Sequence, residues 1–166
     1  MNKYVLILAD KDNCTLLVEK QSPEWQKGKF NLIGGKVEEG ETLNNAAIRE
    51  FNEETGLGQL VFHTEYIGYF YGNEPTPVQI KDVTVNTWES EYEVHLFVFH
   101  LTEKRNPSPH ESEKEKIFWK SSQDLLTESR LMKNLKILIP LMRNLRHTKK
   151  DLVINDNGSS LEIESW

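Results

Sequence analysis

The sequence predicts an α+β domain, with a mixed β-sheet held between helices on opposite faces and a β-hairpin at its C-terminal end. Three observations predict it. Short runs rich in Val, Ile, Leu, Phe and Tyr recur between turn-forming residues, which reads as strands. Two segments, 43–55 and 131–145, instead carry apolar residues at helical spacing. The 166 residues are 37% hydrophobic and 10% aromatic, enough to bury one core without covalent staples.

In chain order, residues 3–9 and 15–19 are apolar runs joined by Asp10-Lys11-Asp12-Asn13, turn chemistry that predicts a two-stranded hairpin. Residues 21–29 form a polar loop, and a short strand over 30–33 is expected to stop at Gly34-Gly35. Thr42 suits an N-cap, 43–55 the helix body, and Gly56 the residue that ends it. Residues 60–71 read as a strand. Residues 72–91 are polar and contain Pro75 and Pro77, which predicts a long loop. Residues 92–101 (YEVHLFVFHL) read as a central strand covered on both faces. A charged loop, a short strand at "IFWK" and a turn at "SSQDLL" lead to the second helix, 131–145. Asn157-Gly158 between two alternating runs predicts the terminal hairpin. The reading is one domain over 1–150 and a hairpin or tail over 151–166.

Charge and composition exclude several function classes. Net charge is −6 with no long Lys/Arg tract, so a nucleic-acid polymer is not the expected partner. The single cysteine, Cys14, forms no internal disulfide. With no basic-then-apolar leader and no run near the ~18 apolar residues of a membrane span, the expectation is a cytoplasmic protein without a membrane partner. Monomer and homodimer both stay open.

The informative stretch is GGKVEEGETLNNAAIREFNEETGL, residues 34–57. On a helical wheel, Leu43, Ala46, Ala47 and Phe51 define the inward arc, and Glu50, Glu53 and Glu54 fall within it. An ordinary solvated acidic face would put its carboxylates opposite the apolar arc or pair them with Lys at i+4. This helix has no Lys, and Arg49 is its one cation. Gathered carboxylates repel and lose hydration, and a hard divalent cation such as Mg²⁺ relieves both costs. The stretch reads as a metal trap.

Its spacing, Gly35-x5-Glu41-x7-Arg49-Glu50-Phe51-x-Glu53-Glu54-x-Gly56-Leu57, resembles the Nudix box with every specified position filled. The order of strands and the IFWKSSQDLL segment extend the resemblance over roughly 1–145. The resemblance implies a Nudix-type α/β/α sandwich. It also implies hydrolysis of a nucleoside diphosphate linked to another group X, using Mg²⁺ or Mn²⁺. Carried onto this chain, Glu50, Glu53 and Glu54 are metal ligands, with the Gly34 carbonyl as a further one. Glu50 or Glu53 accepts the proton of the attacking water. Arg49 orients the cluster with Glu41 as partner, although a purely structural role for that pair weighs equally.

The identity of X is thinner. Residues 28–41 resemble the branch that hydrolyses 8-oxo-dGTP, in which an Asn at the place of Asn31 reads the base; Asn31 otherwise satisfies backbone at a strand end. Phe30, Lys36 and Trp88 are further candidate substrate contacts, Lys36 toward a phosphate and Trp88 by stacking. Trp88, like Trp25, stands in a polar loop, where a tryptophan more often pins its own loop. Glu115, in the run Glu111, Glu113, Glu115, is the choice for an additional metal ligand. A triphosphate, oxidised or not, cut to a monophosphate and pyrophosphate leads. ADP-ribose or a nucleotide sugar is the alternative, prompted by Pro75 beyond the box. A non-catalytic nucleotide-sensing module is a third reading, opposed by the intact glutamates. The five histidines, including His63, His95 and His100, show no ligand spacing and read as structural.

Overall fold

In the computed structural model, the backbone is described for 1–80, 83–145, 152–156 and 161–165, and side chains for 1–72 and 91–145. The described residues form ten strands and two α-helices: β1 (Asn2–Leu8), β2 (Asp10–Lys11), β3 (Cys14–Glu19), β4 (Phe30–Asn31), β5 (Ile33–Lys36), α1 (Leu43–Thr55), β6 (Val61–Ile80), β7 (Val83–Leu101), β8 (Lys116–Ser121), α2 (Leu135–Leu145), β9 (Leu152–Asp156) and β10 (Leu161–Ser165). A six-stranded mixed sheet runs β10-β9-β6-β7-β1-β5, and a smaller one joins β2, β3, β4 and β8.

Period-two alternation divides the large sheet into two faces. Val5 and Ile7 of β1, with Phe97 and Phe99 of β7, pack against Ala46, Ala47 and Phe51 of α1. Leu6 and Leu8, with Leu96 and Val98, pack against Leu135, Leu138, Ile139 and Met142 of α2. One helix therefore covers each face, the α/β/α arrangement expected from the sequence. On the α1 face the Phe51 and Phe99 rings meet at 5.1 Å.

Four expectations need correction. First, β1 does not pair with β3; it runs parallel to β7 and antiparallel to β5. The Asp12-Asn13 turn, both residues with φ above +50°, closes the short β2–β3 hairpin instead. The chain changes sheets at Ala9, something local turn chemistry does not encode. Second, Gly34-Gly35 does not end a strand. Both lie inside β5, whose backbone approaches Val5 so closely that a Cβ at Gly34 would overlap the Val5 carbonyl. Third, residues 72–91 are not a loop: β6 and β7 pair antiparallel from Val61↔Leu101 out to Ile80↔Val83. Pro75 falls where the register shifts between Glu74 and Thr76, a bulge that tolerates a residue without an N–H. Fourth, α2 begins at Leu135, not 131. The segment before it lies along β4, where the Phe30 N–H donates to the Arg130 carbonyl (2.7 Å) and the Met132 N–H to the Phe30 carbonyl (2.9 Å). Leu131 is buried from there.

At the C-terminal end β9 pairs antiparallel with β10 and runs parallel to β6. The predicted Asn157-Gly158 turn lies outside the described residues. Among the described residues, no helix is long and apolar enough to cross a membrane.

Candidate active site

The site is organised by α1. Thr42 caps it, its Oγ1 accepting from the Asn45 N–H at 3.2 Å. Gly56, at φ +66°, stops it by returning its N–H to the Asn52 carbonyl at 2.8 Å. The next two exposed carbonyls of that last turn are closed by the 102–115 loop. Ser108 N–H donates to Thr55 O (2.8 Å) and His110 N–H to Glu53 O (2.9 Å). The loop is thereby fastened over the end of the helix that carries the glutamates.

Arg49 lies at the centre of the carboxylates. Its Nε and Nη2 donate to both oxygens of Glu41 (2.9 and 3.0 Å). Nη1 donates to Glu50 (2.7 Å) and Glu53 (3.2 Å), and Nη2 also to the Lys36 carbonyl (3.0 Å). One planar guanidinium thus ties the loop before α1, strand β5 and two turns of α1 into a unit. Hydrogen bonding to Arg49 holds Glu41 below the usual carboxylate range, and the same network raises Arg49 further above its already high value.

The three glutamates of the helix occupy different environments. Glu53 is on the open side, with half its side chain exposed, and not in the buried arc of the helical wheel. Glu50 is largely enclosed, and its carboxyl lies directly over Gly35, where any Cβ would overlap it. Burial pushes Glu50 upward against the pull of Arg49. Glu54 is only 5% exposed, and its Oε2 accepts the Gly34 N–H at 3.0 Å. Burial pushes it up to about 8, opposed by the Gly34 hydrogen bond and the Lys20 charge and assisted by Glu113 and Glu50. Glu54 lies within reach of the Glu50 and Glu113 charges, and carboxylate oxygens are the donors a hard divalent ion takes. Glu50, Glu53 and Glu54 would hold such an ion. An open cleft of about 650 Å³ reaches this edge, lined among others by Lys3, Lys36, Glu41 and Glu50.

A model of the NUDIX domain matches residues 3–142, most of the chain. The chain belongs to the Nudix family. Among relatives of this Nudix chain, a protein named ADP-ribose pyrophosphatase from Methanocaldococcus jannaschii is 48% identical over 50 residues, 30% of this chain and 29% of that one. The oxidized purine nucleoside triphosphate hydrolase of Mus musculus is 40% identical over 60 residues, 36% of this chain and 38% of that protein. The chain's matches thus span less than two-fifths of the length of these relatives. Among solved structures, the MutT protein of Bacillus halodurans superposes with a TM-score of 0.67 at 22% identity, covering 99% of this chain and 98% of that one. The NUDIX domain of Shewanella oneidensis NrtR, solved with ADP ribose, gives 0.63 at 14% identity, covering 87% and 86%. At these identities the superpositions establish a shared Nudix fold.

The remaining candidate residues scatter. Phe30 is not a surface contact: it is 3% exposed, packed edge-on to Phe118 (4.9 Å) with the Arg130 guanidinium over its ring (4.1 Å). Its apolar ring is needed by the α2-side core. Asn31 is half-buried on β4, with Oδ1 accepting the Leu32 N–H at 2.8 Å; its amide NH₂ has no described partner. Lys36 is exposed in the cleft. Trp88 sits on β7 instead of in a loop, and its side chain lies outside the described residues; Trp25 is 60% exposed with Lys29 near its ring. Glu115 is engaged elsewhere, accepting from Lys20 Nζ (2.8 Å) and the Gln21 N–H (2.9 Å). Its neighbour Glu113 is the one whose charge acts on Glu54. Lys20, at the end of β3, was not foreseen as part of this surround, and a lone Lys after a strand gives no sequence signal for it.

Proposed function

We propose that this chain is a divalent-metal-dependent pyrophosphohydrolase acting on a nucleoside diphosphate linked to another group. The observation that carries the reading is the graded carboxylate set on α1, with Glu54 buried on the Gly34 N–H, Glu50 enclosed over Gly35, and Glu53 open to solvent, the last two tied to Arg49. A bound Mg²⁺ or Mn²⁺ supplies charge neutralisation of the phosphates and activation of the attacking water. The chain's residues do the rest. Glu53, the accessible carboxylate, accepts the proton as water adds to phosphorus and the anhydride P–O bond breaks. Arg49 keeps Glu50 and Glu53 in register, and Lys36 offers a positive charge to the phosphates at the cleft. A sensing module would have no need of the intact set.

The leading substrate is a nucleoside triphosphate, oxidised or not, cut between the α and β phosphates to a monophosphate and pyrophosphate. Its support is the resemblance of residues 28–41, the local match to a purine triphosphate hydrolase, and the amide NH₂ of Asn31, which has no partner among the described residues. ADP-ribose is the second reading, favoured by the match to a protein named for that activity. The test is kcat/KM with Mg²⁺ on dNTPs, 8-oxo-dGTP, ADP-ribose, NADH and diadenosine polyphosphates, with an EDTA control. Asn31→Ala is expected to raise KM for the preferred triphosphate and flatten base preference, leaving poor substrates unchanged. Turnover in excess EDTA would refute the metal role, and a tenfold or greater preference for ADP-ribose would hand the assignment to the second reading.

A further inference from the structure

On the face of the sheet away from α1, His63, Glu65 and His100 converge. His63 pairs with His100, and Glu65 with Val98, across the antiparallel β6–β7 ladder. Paired residues in such a ladder share a face, and Val98 belongs to the α2-side core. His100, two residues on from Val98, therefore stands on the α2 side, as do His63 and Glu65. The two imidazole rings lie 5.4 Å apart at 28° to each other. His100 Nε2 is 3.2 Å from Glu65 Oε2, and one donor atom from each of the three residues falls within 4.8 Å of the others. Among the described residues this is the one group of three His, Cys, Asp or Glu side chains that comes so close.

We propose that His63, Glu65 and His100 form a second metal site, for Zn²⁺ or a similar late first-row divalent ion, separate from the Nudix carboxylates. Tetrahedral Zn²⁺ with bonds of about 2.0–2.1 Å holds its donors roughly 3.3 Å apart. Glu65 and His100 already have that separation, and His63 is exposed, so side-chain rotation suffices to bring it in. Two imidazoles with one carboxylate are a borderline-soft set that prefers Zn²⁺ to Mg²⁺, whereas the all-carboxylate set on α1 prefers the hard ion. The sheet stands between them, so the two sites discriminate by chemistry and do not share ligands. An ion here would staple the start of β6 to the end of β7, close to where that long hairpin joins the rest of the sheet.

The experiment is titration of metal-free full-length protein with Co²⁺, then Zn²⁺, with Mg²⁺ in millimolar excess to occupy the carboxylates. The expected result is one equivalent of Co²⁺ with the intense visible bands of a tetrahedral site, displaced by Zn²⁺, and a Tm raised by Zn²⁺. His63→Ala should weaken Co²⁺ binding by about tenfold or more, and His63→Ala/His100→Ala should abolish the bands and the Tm rise. Because His63 is exposed, the single variant tests the site even if replacing His100 unsettles the fold; the metal-free Tm reports that directly. No stoichiometric Co²⁺ binding in the wild type, or binding of equal strength in the His63→Ala variant, overturns the site.

Discussion

A carboxyl group closed inside a protein with a single N–H donor is poorly stabilised once it ionises. Glu54 is in that position, raised from 4.5 to about 8 chiefly by burial. The sign follows from linkage. Its folded value lies above its unfolded value, so its contribution to stability is complete below pH 4.5 and is lost as pH rises to about 8. The loss amounts to something on the order of 5 kcal/mol for the metal-free protein. Glu50, also raised by burial, adds to the same trend. In EDTA, denaturation measurements should show stability falling between about pH 4.5 and about pH 8. Glu54→Gln should remove the larger part of that fall and leave a residue belonging to Glu50. Parallel pH profiles for the two proteins would show that Glu54 is not the strained group. Mg²⁺ should restore the wild type at high pH and do much less for Glu54→Gln.

At the scale of the element, α1 separates holding from reacting. Its inward residues anchor it, while Glu53 projects from the same turns into solvent, held by the Arg49 Nη1 contact. Glu53→Gln retains an acceptor for Arg49 and removes one charge. It should lower kcat by about 10²-fold or more with Tm little changed. Wild-type turnover in this variant would remove Glu53 from the reaction. Legibility from sequence follows the same division. α1 was readable to the residue because capping by Thr42, the stop at Gly56 and the apolar spacing are local signals. What escaped depends on contacts distant in sequence. Nothing in residues 10–13 says that β1 and β3 belong to different sheets, and Pro75 looks like a loop marker until a bulge accommodates it. Within the site, the box pointed to Arg49 with Glu41 as its partner, whereas the Gly34 N–H and the Lys20 charge beside Glu54 carry no local signal. The burial of Phe30 and the Lys20–Glu115 ion pair are tertiary facts that no local signal carries. The convergence of His63, Glu65 and His100 depends on the strand register between β6 and β7, which no spacing in the chain reveals.

At the scale of the molecule, the large sheet is a partition with a separate apolar core on each side. The α1-side core, through Phe51 and Phe99, fixes the helix that presents the glutamates. The α2-side core, through Leu135, Leu138, Ile139 and Met142, closes the opposite face. Stability and activity should therefore separate according to the side that is disturbed. Leu138→Ala removes a side chain 1% exposed and should cost about 2–5 kcal/mol of stability. Assayed well below its lowered Tm, it should keep wild-type kcat and Mg²⁺ dependence, because the cavity lies beyond the sheet from Glu50, Glu53 and Glu54. Phe51→Ala empties a fully buried site beneath the same turn of α1 and should cost a comparable or larger amount, about 3–5 kcal/mol. Here α1 settles toward the cavity and its carboxylates move with it. A displacement of even about 1 Å at a reacting centre is enough for a loss near 10²-fold. Paired measurements of Tm and kcat on the two variants decide the matter. If Leu138→Ala loses kcat as steeply as Phe51→Ala at equal folded fraction, the sheet transmits strain between its faces and the two cores act as one.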